Sequence, residues 1–358
     1  MTNGPIKLLI VDDSALMRKH LRQVFEAEGD FALAFARNGR EALEQAELLR
    51  PDVITLDINM PELDGLSCLR RLVSGGCEAR IVMVSSLTEQ GAETTLKALE
   101  LGAVDFVPKP DGTVSLSIDR ISAQLVSKVR AAARIRPRRA LGLRKRVRTH
   151  RIEAERRIAA TAARGSATGL VLIGVSTGGP RTLEYILPEL PTDFPWPVIV
   201  AQHMPSSFTG VFAHRMDGLC ELEVIEASCP VPLTPGRIYI GRGDADVVVE
   251  KRLGRPVVNS VRSDGSLWHP SVDRLVSSAI EVMPAAGLCG VLLTGMGNDG
   301  AAAMTTLRQR GGRTIAESEA SAVVFGMPAE LIRKGGADVV LSADAVAQQL
   351  VAWSRRDR

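Results

Sequence analysis

Long apolar runs are missing from this sequence. No stretch reaches the ~18 residues that a membrane-spanning helix requires, and the amino terminus lacks the basic-then-apolar pattern of a signal peptide. Cysteine is also sparse. Cys68, Cys77, Cys220, Cys229 and Cys289 are scattered, odd in number and never in C-x-x-C spacing. That argues against a zinc site and for reduced thiols in a cytoplasm. Aromatic residues make up only 4% of the chain, and the abundant Ala, Val and Leu suit α/β layers. No helix-turn-helix pattern follows Leu170, so a DNA-binding output is not expected.

With 358 residues, 45% of them hydrophobic, the chain is expected to hold two domains, each large enough for its own core. A net charge of +3 hides an asymmetry. From Arg130 to Arg164 there are 13 Lys or Arg against only Glu153 and Glu155, a local +11 that leaves about −8 for the remainder. Like charges at this density repel one another and oppose compaction, so roughly Arg134 to Ala167 reads as a linker, with helical turns from Glu153 to Ala163. Docking on an acidic partner is a sharper alternative. Nucleic-acid binding is a third, but no aromatics are interleaved for base stacking.

The first half alternates short apolar strands with helical patterns five times, at Lys7–Val11, Phe31–Ala36, Val53–Leu56, Ile81–Val84 and Asp105–Val107. Such alternation predicts a parallel, doubly wound sheet with helices on both faces. Ser14 is placed to cap the first helix. Sites in such sheets lie at the carboxyl ends of strands, and there the sequence puts Asp12, Asp13 and Asp57, with Ser85 and Lys109 beside them. Three converging carboxylates repel one another and favour a divalent, oxygen-loving cation such as Mg²⁺. The hydroxyl and the ammonium suit phosphoryl oxygens.

In the second half, the apolar run Leu170–Ile173 leads into Gly174-Val175-Ser176-Thr177-Gly178-Gly179 and then Pro180, a strand, a glycine turn and a helix start. This is the G-x-S-x-G spacing that lifts a serine to a sheet edge; a glycine turn that binds phosphate, or only turns, is the plain alternative. Val198–Ala201 ends in Gln202 and His203, and Gly290–Leu293 ends in a loop carrying Asp299. Side by side in a parallel sheet, Ser176, His203 and Asp299 form a triad of nucleophile, base and orienting acid. Asp244 and Asp246 lie near strand ends too and compete for the third role. His20, His150, His214 and His269 have weaker cases. Arg237–Ile240, Val247–Glu250 and Pro256–Asn259, broken by glycines, suggest an antiparallel β subregion inserted in the α/β core.

The first half resembles the response-regulator receiver domain. Asp12–Asp13, the run Asp57-Ile58-Asn59-Met60-Pro61 with Asp64–Gly65, Ser85, Phe106 and Lys109–Pro110 carry the resemblance. It implies that Asp57 accepts a phosphoryl group from a histidine kinase, with Lys109 in contact, Ser85 as switch hydroxyl and Phe106 as the coupled aromatic. Residues 169 to about 352 resemble the catalytic domain of the chemotaxis protein-glutamate methylesterase (CheB) family. The matching stretches are Ile173–Gly179, Ala201–Pro205 with Phe208–Thr209, Pro270–Asp273, Thr294–Gly297 through Asp299–Gly300, and Val323–Pro328.

This second resemblance implies Ser176 as nucleophile, His203 as base, Asp299 as orienter, and the Met296 backbone N–H, with neighbouring Thr177, at the oxyanion. It further implies hydrolysis of glutamate methyl esters on methyl-accepting chemoreceptors with release of methanol, and glutamine deamidation as a second activity. Mg²⁺ is expected in the receiver and no cofactor for the ester chemistry. The division expected is 1–127 receiver, 128–167 basic linker and 168–358 methylesterase. The fold class is α/β, a flavodoxin-like and a Rossmann-like parallel domain. The competing view makes the second domain a binding module only; the intact triad argues against it.

Overall fold

The computed structural model describes residues 4–86, 88–109, 115–135, 169–263, 265 and 268–356. The basic segment predicted as a linker lies outside them from residue 136 to 168, as does Pro110. The described residues fall into two compact units, one on each side of that segment.

The first unit alternates β1 (Ile6–Val11), α1 (Ala15–Glu28), β2 (Phe31–Ala36), α2 (Gly39–Leu49), β3 (Val53–Asp57), α3 (Gly65–Ser74), β4 (Arg80–Ser85), α4 (Glu89–Leu101), β5 (Asp105–Pro108) and α5 (Ser115–Ala133). All pairings in its sheet are parallel, in the order β2-β1-β3-β4-β5. The predicted cap forms, the Ser14 hydroxyl accepting the Met17 N–H at the start of α1, and the side chains of Asn38, Asp64 and Thr88 cap α2, α3 and α4 in the same way. The strands are apolar on both faces because helices cover both. Leu8, Ile10, Val53, Val82 and Val107 meet Phe25 of α1 and Leu125, Val126, Val129 and Ala132 of α5 in one core. This packing carries α5 beyond Ser127 as far as Ala133.

One polar feature sits inside that core. The Lys128 ammonium on α5 donates to Asp105 Oδ1 at 2.9 Å and to the Phe106 carbonyl at 2.8 Å, and both charged residues are buried. Removing one partner strands the other charge out of water. Lys128→Ala is therefore expected to cost the receiver about 3–5 kcal/mol, read as a lower urea midpoint of its unfolding transition. An unchanged midpoint would show that the pair contributes nothing.

The second unit contains β6 (Leu170–Val175), α6 (Gly179–Ile186), β7 (Val198–Gln202), α7 (Ser206–Asp217), β8 (Glu223–Ala227), β9 (Val231–Pro232), β10 (Arg237–Gly241), β11 (Asp246–Arg252) and β12 (Arg255–Val261). It continues with α8 (Val272–Val282), β13 (Leu288–Leu292), α9 (Ala301–Gln309), β14 (Arg313–Glu317), α10 (Met327–Arg333), β15 (Val339–Leu341) and α11 (Ala343–Arg356). Seven strands form a parallel sheet in the order β15-β14-β13-β6-β7-β10-β8. From β6 the chain winds to one side, through β7, and later returns on the other, through β13. Ligand crevices in open α/β sheets lie at such a reversal, outside the carboxyl ends.

One sequence expectation is corrected here. Arg237–Gly241 is not part of an antiparallel subregion but a parallel strand between β7 and β8. Its Ile238, Tyr239 and Ile240 are fully buried, as a strand covered on both faces must be. The small antiparallel sheet consists of β11, β12 and β9 and packs on α8. None of the described helices is long and apolar enough to cross a membrane.

Candidate active site and acidic pocket

In the receiver unit, strand ends bring the predicted acids together. One carboxylate oxygen each from Asp12, Asp13 and Asp57 lies within 4.8 Å of the others. The Lys109 ammonium reaches Asp57 Oδ2 at 2.7 Å and Asp12 Oδ2 at 3.0 Å. Burial raises the Asp57 carboxyl above its usual range, and the neighbouring Asp12 adds to this against the pull of Lys109. Burial alone would lower Lys109, but the two carboxylates outweigh it and hold the ammonium in its charged form. The donor set is all hard oxygen and its negative charge exceeds what one lysine balances, so it suits Mg²⁺. Ser85 is buried, and its hydroxyl lies 3.3 Å from the carbonyls of Ser86 and Gly91. Phe106 is buried beside Lys128, whose ammonium sits 5.2 Å from the ring centre.

In the second unit, Ser176, His203 and the Asp299 loop follow the three central, adjacent strands β6, β7 and β13. Val175 pairs with Gln202, so Ser176 and His203 leave their strands at the same height. The turn is tied through its backbone. Ser176 N–H donates to the Thr294 carbonyl at 2.9 Å, and its own carbonyl accepts the Gly179 N–H at 2.8 Å. The loop after β13 approaches so closely that a Cβ on Gly295 would stand 2.8 Å from the Ser176 Cβ, which only glycine avoids. That loop also carries Met296. Thr177 is buried, and its hydroxyl has no hydrogen-bond partner among the described residues.

His203 Nε2 lies 2.9 Å from Asp299 Oδ2, while its Nδ1 is buried without a partner among the described residues. Asp299 resolves the competition among acids. Its Oδ2 also accepts the Val272 N–H at 2.7 Å, and its Oδ1 accepts the Asp273 N–H at 3.0 Å and the Ser271 hydroxyl at 3.1 Å. The carboxylate therefore sits on the amino terminus of α8, where exposed N–H groups and the helix dipole favour an anion. Burial pushes its pKa up, but the His203 and backbone hydrogen bonds outweigh that and hold it below the usual range. The rivals are otherwise engaged. Asp244 accepts from Ser206 at 2.7 Å, and Asp246 accepts from Arg274 at 2.7 Å and lies 2.9 Å from His269 Nδ1.

A sequence profile of the CheB methylesterase family matches residues 171–350, and one of the response regulator receiver domain matches residues 8–117. The chain belongs to the CheB methylesterase family. It is 57% identical to protein-glutamate methylesterase/protein-glutamine glutaminase 3 of Rhodospirillum rubrum, over 98% of this chain and 97% of that protein. Identity is 50% to protein-glutamate methylesterase/protein-glutamine glutaminase 2 of Rhodopseudomonas palustris, over 98% and 99%. The crystal structure of the Thermotoga maritima CheB methylesterase catalytic domain superposes with a TM-score of 0.50 at 39% identity, over 52% of this chain and 98% of that one.

Several residues of this CheB-type site escaped the sequence reading. Trp268 stacks on the His203 ring at 5.4 Å between centres and 12° between planes. Glu317, fully buried at the end of β14, accepts the Thr294 N–H at 2.7 Å, and the Thr294 hydroxyl donates to the Thr177 carbonyl at 2.9 Å. Pro270–Asp273 entered only as a matching stretch. Its role is to carry the helix start that holds Asp299, and its one sequence signal is Ser271 at the cap position before the apolar pattern of α8.

Proposed function

We propose that this chain hydrolyses glutamate methyl esters on methyl-accepting chemoreceptors, releasing methanol, deamidates glutamine side chains at the same kind of site, and does so under control of phosphorylation at Asp57. The observation that carries the reading is the His203–Asp299 pair set beside the Ser176 turn, with His203 Nδ1 buried and unpartnered. Asp299 accepts the Nε2–H, which fixes the tautomer that leaves Nδ1 as a base.

Nδ1 takes the Ser176 proton as Oγ attacks the ester carbonyl. The Met296 N–H and the Thr177 hydroxyl are the proposed donors to the oxyanion. The tetrahedral intermediate collapses, the imidazolium returns its proton to the departing methoxy group, and methanol leaves. Water, deprotonated by the same nitrogen, then releases the glutamate and restores Ser176. A glutamine amide follows the same path with ammonia as leaving group. None of these steps calls for a cofactor.

In the receiver, Asp57 is the proposed acceptor of a phosphoryl group from a histidine kinase. Asp12, Asp13 and Asp57 would hold Mg²⁺, which would supply positive charge to the phosphoryl oxygens. Lys109 pairs with the added charge, and Ser85 and Phe106 reorganise around it. The domain division proposed is 1–127, 128–167 and 168–358, with the middle segment a basic tether and a cytoplasmic site of action.

The test is methanol release from membranes carrying methylated chemoreceptors, with and without a small phosphodonor. Release that rises with the donor in the parent, and does not respond to it in Asp57→Asn, is the expected result. A folded, phosphorylated parent that releases no methanol would leave the second domain a binding module.

A further inference from the structure

One buried side chain touches both halves of the proposed nucleophile–base pair and has no part in the chemistry itself. Gln202 closes β7 and is 2% exposed. Its amide nitrogen donates to the Ser176 carbonyl at 3.1 Å and to the His203 carbonyl at 3.1 Å. Both neighbours are acceptors, so the two hydrogens of an NH₂ group fit the position and an amide oxygen does not. The His203 carbonyl accepts no other bond among the described residues. The Ser176 carbonyl has its second acceptor position filled by the Gly179 N–H at 2.8 Å.

The surroundings are shaped to this amide. Gln202 Oε1 packs against the first residue of α6, where a Cβ on Gly179 would stand 2.0 Å from it. Glycine at 179 thus leaves the space that the amide occupies. A carboxylate in place of the amide would set negative oxygen against two carbonyls.

We propose that Gln202 is a positioning residue that sets the separation and orientation of Ser176 and His203 by clamping their two backbone carbonyls with one amide group. This rests on Ser176 and His203 being the nucleophile and base. Adjacent strands fix where the two residues begin, and each lies just past the last ladder pair, Val175 with Gln202. There the His203 N–H still donates to the Val175 carbonyl at 3.1 Å and the Ser176 N–H to the Thr294 carbonyl at 2.9 Å, which hold the two N–H groups. The Gln202 amide holds the two carbonyls and bridges them. A serine oxygen and a base must stay in near-attack geometry, and a misplacement of ~1 Å costs on the order of 10²-fold.

Gln202→Met keeps the length and the burial and removes both hydrogen bonds. In the full-length protein it is expected to lower kcat for methanol release by about 10- to 100-fold while KM for methylated receptor stays within about twofold, because substrate contacts are untouched. The rate of covalent labelling of Ser176 by a fluorophosphonate should fall in parallel. Gly179→Ala, whose Cβ would stand 2.0 Å from Gln202 Oε1 and 2.7 Å from Val175 Cγ2, displaces the amide without altering Gln202 and is expected to give the same split between kcat and KM. If Gln202→Met does not fold, Gly179→Ala carries the test with the same outcomes.

A folded variant with kcat and labelling rate within about threefold of the parent overturns the clamp, as does a loss confined to KM. Ser176→Ala is the control that separates the two ideas. Activity surviving there would remove the nucleophile itself, whatever Gln202 does.

Discussion

Ser176→Ala should melt as the parent does and yet release methanol more slowly by a factor on the order of 10⁴ to 10⁶, the range found when triad nucleophiles are removed. The structure explains why stability and activity separate here. The bonds at Ser176 that hold the turn run through its backbone, its N–H to Thr294 and its carbonyl from Gly179 and Gln202, and beside them the Thr177 carbonyl accepts the Thr294 hydroxyl. The side-chain oxygen contributes none of them, so alanine keeps the turn, the strand register and the cap of the following helix. The expected change in unfolding free energy is within about 0.5 kcal/mol, as for a substitution that breaks no structural feature. Labelling by a fluorophosphonate should vanish together with methanol release. If the folded variant kept more than about one hundredth of the parent kcat, an acyl-enzyme on Ser176 would be ruled out, since the oxyanion donors alone supply far less than the full enhancement.

Why the serine was legible and its support was not comes down to distance along the chain. Ser176, His203 and the Asp299 loop each end an apolar strand, and a strand end followed by glycine or proline is a local signal. The five-fold alternation of the receiver was legible for the same reason, and with it Asp12, Asp57 and Lys109. Strand direction is not local. Arg237–Gly241 reads as a short β run, but its partners are Val198–Val200 and Glu223–Ala227, and nothing within the run says that both lie parallel to it. The antiparallel pairing of Val247–Glu250 with Pro256–Asn259 is legible because a glycine, Gly254, breaks the short β-like run between them, and in the structure β11 and β12 are joined by Leu253 and Gly254.

The supporting polar residues were hidden by a second effect. Glu317 is an acid and yet fully buried. Composition assigns such residues to the surface, and only the fold supplies the donors that make their burial affordable. Trp268 reaches His203 across 65 positions, and Gln202 reaches Ser176 across 26. No periodicity connects them.

Asp299→Asn is the substitution in which orientation and stability fall together. The carboxylate accepts four hydrogen bonds, two on each oxygen, and all four come from donors or from the imidazole. An amide fits neither way round. With its nitrogen in the Oδ1 position it faces the Asp273 N–H, donor against donor, and one of the two backbone bonds to the start of α8 is lost. With its nitrogen in the Oδ2 position it faces the Val272 N–H and donates to His203 Nε2. The ring then carries its proton on Nδ1, the nitrogen proposed to take the serine proton, and has no base to offer. Loss of the correct tautomer in the Ser-His-Asp template costs about 10⁴ in kcat, equivalent to roughly 5.5 kcal/mol of transition-state stabilisation. A loss of that order is expected here, with KM little changed, together with a lower melting temperature as the buried charge-assisted bonds are broken. Activity and stability are separable by Ser271→Ala. It removes one donor to Oδ1 and one cap but leaves Val272, Asp273 and His203 in place, so it should lower stability by about 1 kcal/mol and kcat far less than Asp299→Asn does. A fall in kcat of under about tenfold in folded Asp299→Asn would move the orienting role to another group, because no arrangement of that amide accepts both backbone N–H groups of α8 and also keeps the proton on Nε2.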